Sequence, residues 1–314
     1  MIDFRYHLVS IISIFLALAV GIVLGAGPLQ AGLGSTLGDQ VTALRAEKQD
    51  LNAKLDATEK LAAASGEYAG AVGDRVVRGR LNGHHAVLVV LPSADDRLVT
   101  NLQATLATAG APARGTVTLA NDWFEPTRAA DRASAAGQAA GALGVGGGLT
   151  GDPLLRQVLA RLVTPTAEGL PAPARAAALK ILSGAGLLDS SAPDLAAGDL
   201  VVVVSGAFTG EDPVVARRAE AVRALVAELA APSRAAVVVG GAPVTAAGQP
   251  AASDAVAAVR ADAKTKAVVS TVDHATEPSG PATVVLALES ELDEQTGHYG
   301  TSPGATATVP KVRP

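Results

Sequence analysis

Leu200–Val204 reads LVVVV and Ala235–Val239 reads AAVVV. Between them Pro213–Ala230 carries helical spacing, with Arg217, Arg218 and Glu220 on its polar face. The two runs are β-branched, apolar throughout and too short for buried helices. A strand with water on one face alternates in polarity, and these do not alternate. They predict strands of a sheet covered on both faces, as in parallel sheets joined by helices.

The pattern extends in both directions. Ala86–Leu91 (AVLVVL) is a further apolar run that closes at Pro92, Leu98–Ala109 has helical spacing, and Gly115–Leu119 is a second strand candidate. Ala267–Thr271 and Ala282–Leu288 are expected to add two more strands. The fold class is therefore α/β, a mostly parallel sheet flanked by helices and not a β-barrel. Residues 141–151 (GALGVGGGLTG) predict a mobile loop. The α/β ectodomain is expected over residues 66–290, with a polar, partly disordered C-terminal tail over 291–314 that ends in PKVRP.

Hydrophobic residues make up 49% of the 314, but aromatics only 3%, so the core is aliphatic. A chain of this length can bury a sizeable core. Net charge is −5, from 25 basic and 30 acidic residues, with no basic stripe, which argues against a nucleic-acid partner. There is no cysteine, so disulfides, thiolate catalysis and zinc–thiolate sites are excluded. The single methionine is Met1.

At the other end of the chain, Leu8–Ala26 (LVSIISIFLALAVGIVLGA) carries no charge. As a helix it spans ~28 Å, close to the thickness of a bilayer's hydrocarbon. A cleaved signal peptide is the alternative. It would have a basic leader and a shorter apolar core, whereas Asp3, Arg5 and His7 precede this run. A retained membrane anchor is expected over 8–26, within an N-terminal segment 1–27. Arg5 is the only Lys or Arg before the run and none follows until Arg45, which favours a cytoplasmic N-terminus and an exported C-terminal domain. Ser13, Ala17, Gly21 and Gly25 recur every four residues, and Gly21–Gly25 forms a GxxxG that lets two membrane helices approach closely.

Gly27-Pro28 ends the run, and a flexible stretch is expected to Gly38. Within residues 33–65 a heptad pattern then appears. Leu37, Leu44, Leu51 and Thr58 occupy d; Val41, Lys48, Leu55 and Ala62 occupy a. This predicts a short coiled-coil stalk and a parallel homodimer, with Lys48 disfavouring other registers and Lys54 facing Glu59 of the partner helix. The alternative is an amphipathic helix packed on its own globular domain.

Little in the chain carries chemistry. Ser205-Gly206 and Gly240-Gly241 follow strands, but neither forms a GxGxxG or a Walker motif. There is no GxSxG elbow and no HExxH. Of five histidines, His84-His85 read as loop, and Asp273, His274 and His298 are candidate ligands for a hard or borderline metal. No cofactor is evident, and a non-enzymatic protein is expected.

The opening MIDFRYHLVSIISIFLALAVGIVLGAG, the heptad stretch, STVD (Ser270–Asp273), VVLAL (Val284–Leu288) and GHYG (Gly297–Gly300) together resemble the mycobacterial copper transport protein B family over nearly the whole chain. The resemblance implies an actinobacterial envelope protein linked to copper transport or copper tolerance, described as pore-forming in the outer membrane. It also implies an alternative: a dimeric scaffold in septum formation that binds and regulates a cell-wall hydrolase through coiled-coil contacts. No copper ligand carries over from the resemblance. The residues themselves supply no soft donor set, since Cu(I) selects thiolate and thioether. They also lack the alternating strands and aromatic girdles of a membrane barrel.

Overall fold

The computed structural model describes residues 4–25, 29–145, 147–166, 169–190, 195–241 and 253–311, with the side chains of 24, 29–37 and 190 outside the description. In chain order the elements are α1 (Phe4–Gly25), α2 (Leu29–Val77), β1 (Ala86–Val90), α3 (Asp96–Thr108), β2 (Ala113–Leu119), α4 (Ala129–Leu143), α5 (Gly151–Val163), α6 (Ala172–Gly184) and β3 (Leu188–Ser190). They continue with β4 (Leu200–Ser205), α7 (Asp212–Ala230), β5 (Ala235–Gly240), α8 (Ala255–Arg260), α9 (Ala263–Lys266), β6 (Ser270–Val272), α10 (Gly280–Leu292) and β7 (His298–Tyr299). The chain divides into two units, Met1–Ser65 and Gly66–Pro314.

The second unit is built on one open sheet in the order β3-β2-β1-β4-β5-β6-β7. Every pairing is parallel except β2 with β3. The all-apolar runs now have a physical reason. Along β1, Val87 and Val89 point to one face while Leu88 and Val90 point to the other. Val201 and Val203 of β4 join the first face, Val202 and Val204 the second. Helices α4 to α8 cover the first face. Helices α3 and α10, with Val77 at the end of α2, cover the second. A strand buried on both sides has no position for a polar residue.

The sequence expectation fails at Ala282–Leu288, which is not a strand. It lies inside helix α10, where Thr283 to Leu288 are all buried. A helix buried all round shows the same unbroken apolar run as a buried strand, and Pro281 in its first turn marks the helix start. The strand expected at Ala267–Thr271 is displaced to Ser270–Val272, because Asp262 caps the short helix α9 ahead of it. Helix α4 runs into the Gly-rich stretch and stops at Gly144, whose φ of 64° is a left-handed cap. The polar stretch after Glu291 is not a loose tail over its described part, for it supplies β7 to the sheet.

In the first unit, α1 is one uninterrupted helix. Phe4–Val23 is long enough and apolar enough to cross a membrane, and is wholly exposed. α2 is already helical from Leu29, where a flexible stretch was expected, and it continues past Ser65 to Val77. Its last turns pack within the second unit. A Cβ on Gly66 would touch Pro278 at 3.0 Å, and one on Gly73 would touch Ala282 at 3.6 Å.

Candidate functional site

In parallel α/β sheets ligands gather at the carboxyl ends of the strands, above all where the strand order reverses. Here that reversal falls between β1 and β4, and it is closed by backbone. A Cβ on Gly206 would lie 1.8 Å from the Ser93 carbonyl oxygen, so the turns after β1 and β4 touch directly. Ser205 is equally occupied: its Oγ accepts from the Ala255 amide at 3.0 Å and donates to the Gly206 carbonyl at 2.9 Å. The other Gly-bearing turn, Gly240-Gly241, leads into residues 242–252, which lie outside the described residues. A Cβ on Gly240 would meet the Asp254 carboxylate at 2.6 Å.

The polar groups instead collect at the ends of β6 and β7. Arg260, at the end of α8, is buried among apolar neighbours. Its Nη1 donates to Asp273 Oδ2 at 2.6 Å, its Nε to Thr271 Oγ1 at 2.8 Å, and its Nη2 to the Tyr299 carbonyl at 2.9 Å. The two charged side chains are 3% and 1% exposed. Asp273 also accepts the amides of Thr301 at 3.0 Å and Ser302 at 2.9 Å. Burial pushes the Asp273 carboxyl up, but Arg260 and the two amides outweigh it and hold its pKa below the ordinary value. Gly300 has a φ of 131°, and a Cβ there would fall 1.9 Å from Asp273 Oδ1. Only glycine lets the chain pass over the carboxylate.

His298 is tied into the same network. Its Nε2 lies 3.1 Å from the Lys266 carbonyl and its Nδ1 3.0 Å from Thr271 Oγ1. A carbonyl only accepts, so Nε2 carries the proton and Nδ1 accepts from the threonine hydroxyl. Burial, then the nearby Arg260 and Lys266, push its pKa down. Neither nitrogen has a lone pair free for a metal. Next to Thr271 on β6, Ser270 Oγ accepts from the Gly297 amide at 2.8 Å and donates to Glu291 Oε1 at 2.5 Å. Burial pushes the Glu291 carboxyl up. The STVD and GHYG stretches therefore bind each other, Ser270 to Gly297, Thr271 to His298, and Asp273 to the residues after Gly300.

Of the three candidate ligands, the structure joins only two. His274 Nδ1 lies 3.7 Å from Asp273 Oδ1, and both its ring nitrogens are buried without a hydrogen-bond partner. Burial is the largest influence on its pKa and lowers it. His298 faces Thr271 and Lys266 instead. Among the described residues no group of three or more histidine or acidic side chains could hold a metal ion. Asp273, His274 and His298 therefore do not form one ligand set.

A cavity of about 340 Å³ opens beside this network, lined by Asp254, Arg260, Asp273, Arg223 and Ser302 among apolar side chains. Asp254 caps α8 through the Ala257 amide at 2.8 Å, and burial raises its pKa. Sequence reading missed Arg260. Its one signal was a lone cation in the apolar stretch AVAAVRA. At the amino end of the sheet, His84 Nδ1 lies 2.5 Å from Asp199 Oδ2, and the His85 amide donates to Oδ1 at 2.8 Å. These histidines join β1 to the entry of β4.

On α1, the Ser13 hydroxyl bonds back to the Val9 carbonyl at 2.8 Å, and nothing lies within 4 Å of a Cβ built on Gly21 or Gly25. Ala17 is exposed with them. On α2, Val41 is 44%, Leu44 64%, Leu51 57% and Leu55 56% exposed, and Lys48 is exposed too. The side chain of Leu37 lies outside the described residues.

A family model described as "Copper transport outer membrane protein, MctB" matches residues 1–310. Curated relatives named "Copper transporter MctB" from Mycobacterium tuberculosis and Mycobacterium bovis are 31% identical to this chain, over 98% of it and 99% of their own length. The relative of that name from Mycobacterium leprae is 30% identical, over 99% of this chain and 100% of its own.

Proposed function

Because the chain belongs to the MctB family of copper transport proteins, we propose that it serves copper transport or homeostasis at the cell envelope, as a non-enzymatic α/β domain tethered to a membrane by α1. The observation that carries this reading is the match along the whole length, from the apolar helix through to β7. The tether accounts for an exposed helix of membrane-spanning length ahead of a unit whose sheet is open and covered by its own helices. In this reading copper is cargo or stimulus and not a resident cofactor. We place α1 as a single pass with the second unit exported.

A second reading is a dimeric scaffold that holds a cell-wall hydrolase or another septal protein, and it would use the exposed apolar residues of α2. One experiment separates the two. The host strain lacking this chain is grown across a copper series, and cell copper and septum spacing are measured. The first reading predicts altered copper content, restored by the full chain. Unchanged copper with misplaced septa would overturn it in favour of the scaffold.

A further inference from the structure

The cavity of about 340 Å³ lies where β5 and β6 end, between α7, α8 and the turn after β7. The sheet's carboxyl edge is shut between β1 and β4 by the Gly206–Ser93 contact, but here it stays open. Ala219, Ala258 and Ala261 line it where larger side chains would fill it. Arg260 and Asp273, at its floor, are committed to each other. Three further polar groups on its walls have capacity to spare. Arg223 on α7 is half-buried and makes no hydrogen bond or ion pair among the described residues; only its field reaches Asp262. The Ser302 amide goes to Asp273, while its hydroxyl has no hydrogen bond among the described residues. Asp254, 7% exposed, takes the Ala257 amide on Oδ1 at 2.8 Å, with the Val256 amide beside it. A carboxylate has about four acceptor sites, so this cap leaves Asp254 able to accept from a ligand.

We propose that this cavity binds a small apolar α-amino acid, with its carboxylate on Arg223, its ammonium on Asp254 and its side chain against the apolar wall. The charges set the class. The open groups are one cation and one carboxylate, so a ligand that answers both carries both charges. A plain carboxylate would leave Asp254 without a cation, and a plain amine would leave Arg223 without an anion. Burying either charge unpaired is costly. A sugar would meet the polar groups but leave Val256, Ala258 and Pro303 facing hydroxyls. The volume sets the size. It lies near the lower end of ligand pockets, about 300–1,000 Å³, and suits an amino acid better than a nucleotide. This inference goes beyond the copper reading and does not rest on it.

The test is calorimetric titration of the full chain in detergent at neutral pH. The probes are L-leucine and L-valine, with 4-methylpentanoate and 3-methylbutylamine as analogues that each lack one charge. The expected result is a Kd of about 1 mM or tighter for at least one of the two amino acids, and at least tenfold weaker binding of both analogues. Arg223→Gln and Asp254→Asn should each weaken amino-acid binding at least tenfold. Asn is a good helix cap, so the second substitution keeps α8 in place. Ala257→Leu, at an exposed position on the cavity wall, should block binding by filling the space. Thermal melting checks that each variant is folded. No binding of either amino acid up to about 10 mM would overturn the proposal. So would equal binding of either analogue, or unchanged binding in any one of the three variants. Failure of the copper reading alone would leave these titrations unaffected.

Discussion

Asp273 is 1% exposed, and replacing Arg260 by Ala would remove its one close cation and leave it the Thr301 and Ser302 amides, with the neutral His274 ring 3.7 Å away. Breaking a buried pair on one side costs about 3–5 kcal/mol. Urea unfolding of Arg260→Ala should show a loss of that order, with the C-terminal stretch loosened first. A loss below about 1 kcal/mol, the range of surface pairs, would mean the pair is not a lock. The histidines make a separate prediction. His274 and His298 both have folded pKa values below their ordinary one, each chiefly through burial. The unfolded chain therefore takes up protons first as pH falls through about 6.5. Their contribution to stability is present above that pH and is lost as pH falls from it toward the folded values. Glu291 and Asp254 are shifted up and act in the opposite sense. The effect is thus read as a difference: the urea midpoint of His298→Asn should fall less between pH 7.5 and 5.5 than that of the unsubstituted chain. An identical fall in both would contradict it.

At the scale of elements, the turn after β4 is the most constrained backbone. A Cβ on Gly206 would fall 1.8 Å from the Ser93 carbonyl, and backbone cannot move aside cheaply. Gly206→Ala should cost about 2 kcal/mol or more in thermal or urea unfolding, whereas a change near zero would show that the two turns do not touch. In contrast, Leu44→Asp with Leu51→Asp should leave melting of the second unit within about 0.5 kcal/mol, since both side chains are exposed. These elements also show what was legible. AVLVVL, LVVVV and AAVVV read correctly as strands because β-branched runs of that length have few other uses. ATVVLAL misled because burial on all sides erases the helical period. The stretch after Glu291 misled for another reason. Its order comes from the pairing of β7 with β6 and from bonds to Ser270, Thr271 and Asp273 far back in the chain, and no local pattern records them. Asp273 reads in the sequence as a candidate metal ligand, but its partner in the fold is Arg260, 13 residues away on another element.

Over the whole molecule, two facts bear on the proposed function. The chain matches proteins named for copper transport from end to end. In its folded unit Arg260, Asp273, Thr271 and His298 are hydrogen-bonded in one network, and the three candidate ligands Asp273, His274 and His298 do not converge. The proposed function, a membrane-tethered domain in copper handling, accommodates both, because it does not require Asp273, His274 and His298 to hold the ion. The family description as an outer membrane protein is compatible with an envelope location. The proposed placement is one helix in the membrane and an open, helix-covered sheet outside it. The most direct test is to treat host membranes with alkaline carbonate, and intact spheroplasts with external protease. The account predicts that the full chain stays with the membrane and that protease removes the second unit while a fragment containing α1 remains. Release by carbonate, or a chain that resists protease and changes mobility on heating as membrane barrels do, would contradict it.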